Sequence, residues 1–191
     1  LTRFSSAFAF LADISMLVMG GDLKRKEKLS ARMGDILSLM YLSSAVLKRY
    51  EAEGRQQADA PLMHWAIWDS MFKAQNAFEG VVSNFPSRFV STLLRRTIFP
   101  LGRPYMVPSD RLGGQVADLL IAPSATRDRL TADMHLPRDE KDPVGVIELA
   151  LEATLQAEAL QAKIRVAQKT GVLSGRTAQE IARSALEKNV I

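Results

Sequence analysis

From Phe4 to Met19 the chain carries Phe4, Phe8, Phe10, Leu11, Ile14, Leu17 and Val18, with Asp13 as the only ionisable side chain among them. A helix drawn through this stretch is apolar nearly all round, so it must be covered on most sides. It is shorter than the ~20 apolar residues that a membrane span needs, and an aspartate at mid-length is costly in hydrocarbon. The expectation is a core helix of a bundle, with both Leu11 and Leu17 inside, ended by Gly20-Gly21.

The rest of the chain repeats the helical period. From Asp22 to about Glu53, apolar residues fall at Leu29, Met33, Ile36, Leu37, Met40, Val46, Leu47 and Tyr50, which predicts one long amphipathic helix. Lys24-Arg25-Lys26 lies outside that stripe; a phosphate-binding role is conceivable there, but cations near a helix N-terminus oppose its dipole and are read as solvated. Asp59-Ala60-Pro61 opens a further helix that ends near Asn84-Phe85-Pro86. It carries Trp65, Trp68, Met71, Phe72 and Phe78, read as core rather than as an acyl or flavin pocket, and His64, read as partly buried and structural. A short amphipathic helix over 87–98 leads into the turn Phe99-Pro100-Leu101-Gly102-Arg103-Pro104-Tyr105. Ser109 or Asp110 caps a helix through Leu120, and residues 123–142 read as a loop with a short helical turn. Asp142-Pro143 begins a helix running to Thr170, and Thr177-Ala178-Gln179-Glu180 is a capping box for the last one. No segment has a convincing strand period, so the fold class is all-α, a helical bundle.

Chemistry is harder to find. The 191 residues include no cysteine, which excludes disulfides, Cys-ligated metals and a Cys nucleophile. No Gly-rich phosphate loop follows a strand, and the histidines, His64 and His135, have no partners at catalytic or metal-ligand spacing. Glu148, Glu152 and Glu158 fall on the charged side of their helix and are read as solvated. The sequence therefore offers no candidate catalytic, cofactor-binding or metal-binding residue. The charge distribution is more informative. Residues 84–111 hold Arg88, Arg95, Arg96, Arg103 and Arg111 against the single acid Asp110, an excess equal to the whole net charge of +4. These arginines alternate with Phe, Leu, Ile and Pro, a pattern that suits a membrane surface or an acidic protein better than nucleic acid. The candidate membrane-facing or partner-facing patch comprises Arg88, Phe89, Leu93, Leu94, Arg95, Arg96 and Arg103.

Two sets of ordered motifs carry a family resemblance. The run from Gly20-Gly21-Asp22-Leu23-Lys24-Arg25 through Lys28-Leu29-Ser30-Ala31-Arg32-Met33-Gly34-Asp35 to Leu47-Lys48-Arg49-Tyr50-Glu51 resembles the C-terminal region of bacterial long-chain acyl-CoA dehydrogenases. Ile98-Phe99-Pro100-Leu101-Gly102-Arg103, Pro108-Ser109-Asp110, Pro123-Ser124-Ala125-Thr126-Arg127 and Asp142-Pro143-Val144-Gly145 resemble it in the same order. The resemblance implies a flavoenzyme of fatty-acid β-oxidation that converts an acyl-CoA to a trans-2-enoyl-CoA. In that family a glutamate takes the α-proton and FAD accepts a hydride from Cβ. That glutamate and most flavin and substrate contacts lie upstream of the region resembled, so no catalytic residue carries over. FAD is expected to bind mainly outside this chain, and the chain alone is expected to be inactive. By the same resemblance, residues 1–53 are the end of a dehydrogenase-type bundle with a long linking helix, and residues 54–191 an appended C-terminal helical domain. The chain, which begins Leu1-Thr2-Arg3, reads as cut from a longer parent. The implied partners are the parent dehydrogenase domain, its acyl-CoA substrate and a second copy in a homodimer. The implied location is cytoplasmic, with peripheral contact at the inner membrane. The competing reading is a stand-alone helical protein-interaction module without catalysis.

Overall fold

The computed structural model describes residues 1–121, 123–137, 139–175 and 177–190. Among the described residues there are eight α-helices and no strand. The chain divides into two compact units, Leu1–Ile121 and Ala122–Ile191.

The first unit holds α1 (Thr2–Met19), α2 (Glu27–Ala52), α3 (Ala60–Ser83), α4 (Arg88–Ile98) and α5 (Asp110–Ile121). Each long helix turns a stripe at three- and four-residue spacing inward: Phe4, Leu11, Ser15 and Met19 on α1, Leu29, Ile36, Met40 and Ser43 on α2, and Met71, Ala74, Gln75, Phe78, Val81 and Val82 on α3. Residues 53–59 form a short connection in which Gly54 and Arg55 both take positive φ, 82° and 53°. So tight a turn makes α2 and α3 antiparallel neighbours. Leu94 and Ile98 of α4 and the adjoining Phe99 close the same core. An edge-to-face series runs through it: Trp68 on Tyr105, Tyr105 on Phe4, Phe4 on Phe78, and Phe78 on Phe99, with centroids 5.3–6.5 Å apart. The aromatic residues of α3 are thus divided, Phe78 fully buried and Trp65 and Trp68 half in solvent.

Three local expectations are corrected. The helix foreseen from Asp22 starts only at Glu27: Gly20, with φ 51°, breaks α1, a 3-10 stretch Gly20–Arg25 follows, and Lys26 has a non-helical conformation. Two adjacent glycines give the backbone no reason to resume an α-helix at once. Leu17 is 82% exposed while Leu11 is wholly buried, because the bundle covers only one side of α1. His64 is exposed, as it sits on the outer face of α3.

The second unit holds α6 (Ala125–Thr131), α7 (Pro143–Lys169) and α8 (Ala178–Glu187). Side-chain caps start all three: Ser124 Oγ accepts from the Arg127 amide, Asp142 from the Val144 and Gly145 amides, and Thr177 from the Glu180 amide. The Arg127 guanidinium donates to both carboxylate oxygens of Glu148 at 2.7 and 2.8 Å, which ties α6 to α7. Gly145 lies so close to the Asp139 carbonyl that a Cβ there would overlap it. Gly171, at φ 73°, ends α7, and Ala167, Leu173 and Ala185 form a small second core with Ile164 and Val190.

Candidate functional site

The arginine-rich segment is built on α4 and the strap 99–109 that follows it. Ser87 caps α4 by accepting from the Val90 amide. Leu94 and Ile98, four apart, enter the core, which leaves Phe89 at 81% exposure and Leu93 about half exposed on the outer side. Leu94 is therefore an anchor of the helix and not part of an outward patch, which corrects its place among the candidate residues. Arg88, Arg96 and Arg103 project into solvent.

Arg95 has a different fate. Its guanidinium donates to Glu79 across α3 and α4 through both nitrogens, at 2.7 and 2.8 Å, and to Ser83 Oγ at 3.0 Å. Ser83 in turn donates to Glu79 at 2.6 Å. Partial burial pushes the Glu79 carboxyl up, but the hydrogen bonds from Arg95 and Ser83 and the charges of Arg95 and Arg103 outweigh it and hold the group below its ordinary value.

The strap is fixed at both ends of its first half. Arg3 donates to the Ile98 carbonyl at 3.1 Å, and the buried Gln75 exchanges two hydrogen bonds with the Tyr105 backbone, at 2.8 and 3.1 Å. Gly102 turns the chain between them at φ 74°. The strap leaves Leu101, Met106 and Val107 exposed. Sequence reading missed them because a proline-rich turn has no period from which a buried side can be inferred.

Further exposed apolar side chains lie on α1 and on α2. Met16, Leu17 and Val18 on the first and Leu37, Tyr41 and Leu42 on the second are all more than two-fifths exposed. Thr2–Arg25 is long and apolar enough to cross a membrane by length and composition, with a mean hydropathy of 1.5 over its most apolar window. Phe4, Leu11, Ser15 and Met19 nonetheless pack into the bundle.

Among the described residues no group of three or more His, Asp or Glu side chains is placed to hold a metal ion. His135 lies 3.5 Å from Asp142, where the Val144 amide and then the Gly145 amide and His135 hold the Asp142 carboxyl below its ordinary value. The cavity beside Phe4, Gln75, Phe99 and Tyr105 has a volume of about 50 Å³, too small for a flavin.

No solved structure matches the chain. Residues 1–191 match, over their whole length, the family described as acyl-CoA dehydrogenase, C-terminal, bacterial type. That match over the whole chain shows that it belongs to this family.

Proposed function

We propose that this chain is the accessory C-terminal helical domain of an FAD-dependent acyl-CoA dehydrogenase of fatty-acid β-oxidation, and that it docks on the dehydrogenase portion through the outer face of α1 and α2. The observation that carries this reading is the 82% exposure of Leu17 on a helix whose opposite side is core. A contiguous helix that is apolar on both sides is stable in water only when something covers the second side. The family match supports that partner, since its description is that of one part of an acyl-CoA dehydrogenase. The α-proton abstraction and hydride transfer that yield trans-2-enoyl-CoA then belong to that partner, and this domain stabilises it, alone or across a homodimer. Residues 1–53 on this reading continue the dehydrogenase bundle, and residues 54–191 are the appended part.

Co-expression of the dehydrogenase portion with residues 1–191 as separate chains tests the docking. The wild-type pair should co-purify and reduce an acceptor dye with acyl-CoA, while Leu17→Asp with Tyr41→Asp should separate the two. Co-purification unchanged by the double substitution would sink the docking face, and dye reduction by residues 1–191 alone would place the catalytic base in this chain.

A second reading concerns the α4 strap region, where Phe89 and Leu101 are each more than four-fifths exposed beside Arg88, Arg96 and Arg103. Exposed apolar side chains flanked by arginines suit peripheral contact with an anionic membrane, at about 1 kcal/mol per basic side chain near the surface. Arg88→Glu with Arg96→Glu should abolish sedimentation with anionic vesicles at low salt. Failure of the wild type to sediment would remove the membrane reading and leave these arginines solvated.

A further inference from the structure

We propose that the groove between the start of α2 and the end of α3 binds a phosphate-bearing ligand, with Arg32 as its principal contact. The groove has a volume of about 500 Å³ and is lined by Arg25, Lys26, Lys28 and Arg32, with Glu27 and Asn84. Arg25 is paired with Asp22 at 3.9 Å, which leaves Lys26, Lys28 and Arg32 as the cationic excess over Glu27. Lys28 and Arg32 are four apart on one helix, a spacing at which like charges repel, and Arg25, Lys26 and Lys28 lie at the positive end of the α2 dipole. The Lys26 carbonyl takes the Leu29 and Ser30 amides at 2.9 and 3.0 Å, but Lys26 offers no side-chain acceptor to the first turn.

The independent observation is the seat of Arg32. A Cβ at Gly80 would stand 2.9 Å from Arg32 Cδ and 3.0 Å from Nε, so the arginine stem lies directly on the α3 backbone where any other residue would hold it off. Arg32 is half-buried there and makes no hydrogen bond or ion pair among the described residues. Asn84 is held alongside by its Nδ2 donating to the Gly80 carbonyl at 2.8 Å. A guanidinium whose stem is packed but whose donors are unspent suits bidentate contact with phosphate oxygens. The site does not depend on the docking proposed above, because its lining residues lie at the α1–α2 connection, the start of α2 and the end of α3, apart from Leu17 and Tyr41.

Calorimetric titration of inorganic pyrophosphate into the FAD-loaded full-length protein tests it. Arg32→Gln should weaken binding at least tenfold relative to wild type. Gly80→Ala should weaken it severalfold by displacing the arginine stem while leaving the fold intact, which circular dichroism and the melting temperature check. Arg103→Gln, a cation outside the groove, should bind as wild type does. Flotation with phosphatidic-acid vesicles identifies the source: flotation lost in Arg32→Gln assigns a lipid phosphate, and pyrophosphate binding without flotation assigns a soluble phosphoester. Binding by Arg32→Gln and Gly80→Ala equal to wild type in both assays, or no saturable binding by the wild type in either, would overturn the proposal.

Discussion

Gln75, 2% exposed on α3, meets the backbone of Tyr105 as one strand of a sheet would meet another: its Nε2 donates to the Tyr105 carbonyl and its Oε1 accepts from the Tyr105 amide. A single side chain thereby satisfies both polar groups of an extended residue 30 positions away. Replacement by Ala strands both groups at a part-buried site, and the expected loss is about 1–3 kcal/mol. Trp68, edge-on to Tyr105, reports detachment of the strap. Urea unfolding of Gln75→Ala should show the lower midpoint together with altered native-state tryptophan emission. A midpoint equal to wild type would mean that water replaces the side chain without cost.

The two faces of α1 predict opposite outcomes for one substitution. Leu11→Ala removes a wholly buried side chain and should cost ~2–5 kcal/mol. Leu17→Ala, at an 82% exposed position, should cost under about 0.5 kcal/mol in residues 1–191 alone. Equal losses at the two sites would show that α1 packs differently.

Glu79 links stability to acidity. Its carboxyl is held below its ordinary value of 4.5, so the ionised form is the one the fold favours. The stabilisation is present in full above pH 4.5 and is lost as the pH falls below it through the folded value. Since Arg95 is about half exposed, the pair is worth at most ~1 kcal/mol. Glu79→Gln should be less stable than wild type at pH 7, and the gap should close as the pH falls below 4.5 through the folded value. A gap that persists in acid would assign the loss to packing.

Glycine positions in the two units should respond with opposite sign. Gly145→Ala drives a Cβ into the Asp139 carbonyl and should cost about 1–3 kcal/mol as the 139–145 turn is pushed off α7. Gly114, inside α5 with open space around its would-be Cβ, should gain about 0.4–1 kcal/mol on replacement by Ala. Thermal unfolding of the two variants decides both.

Sequence periodicity located the helices because the caps and breakers are local chemistry. Ser87, Asp142 and Thr177 accept from amides two or three residues ahead, and such contacts need no knowledge of the rest of the chain. The inward face of α1 was not legible for the opposite reason. A helix apolar all round carries no phase, and only the position of α2, α3 and α4 selects Leu11 over Leu17. Leu94 was grouped with Phe89 and Leu93 because the three are adjacent on α4, yet the helix turns 100° per residue and the core takes Leu94 alone. The basic run at 24–26 is exposed, as its solvated reading expects; what periodicity does not show is that the α2–α3 hairpin brings Asn84 beside Arg25 and Lys26.

The uncovered side of α1 separates two properties that a melting curve does not distinguish. A chain can keep Phe4, Leu11 and Met19 in a sound interior and still offer Met16, Leu17 and Val18 to any sticky surface it meets. For such a chain, yield in solution measures occupancy of the bare face and not the integrity of the core. Polar substitutions at Leu17 would raise recovery of the isolated chain without making it more stable, and in the assembled enzyme the same changes would be read as a fault of assembly.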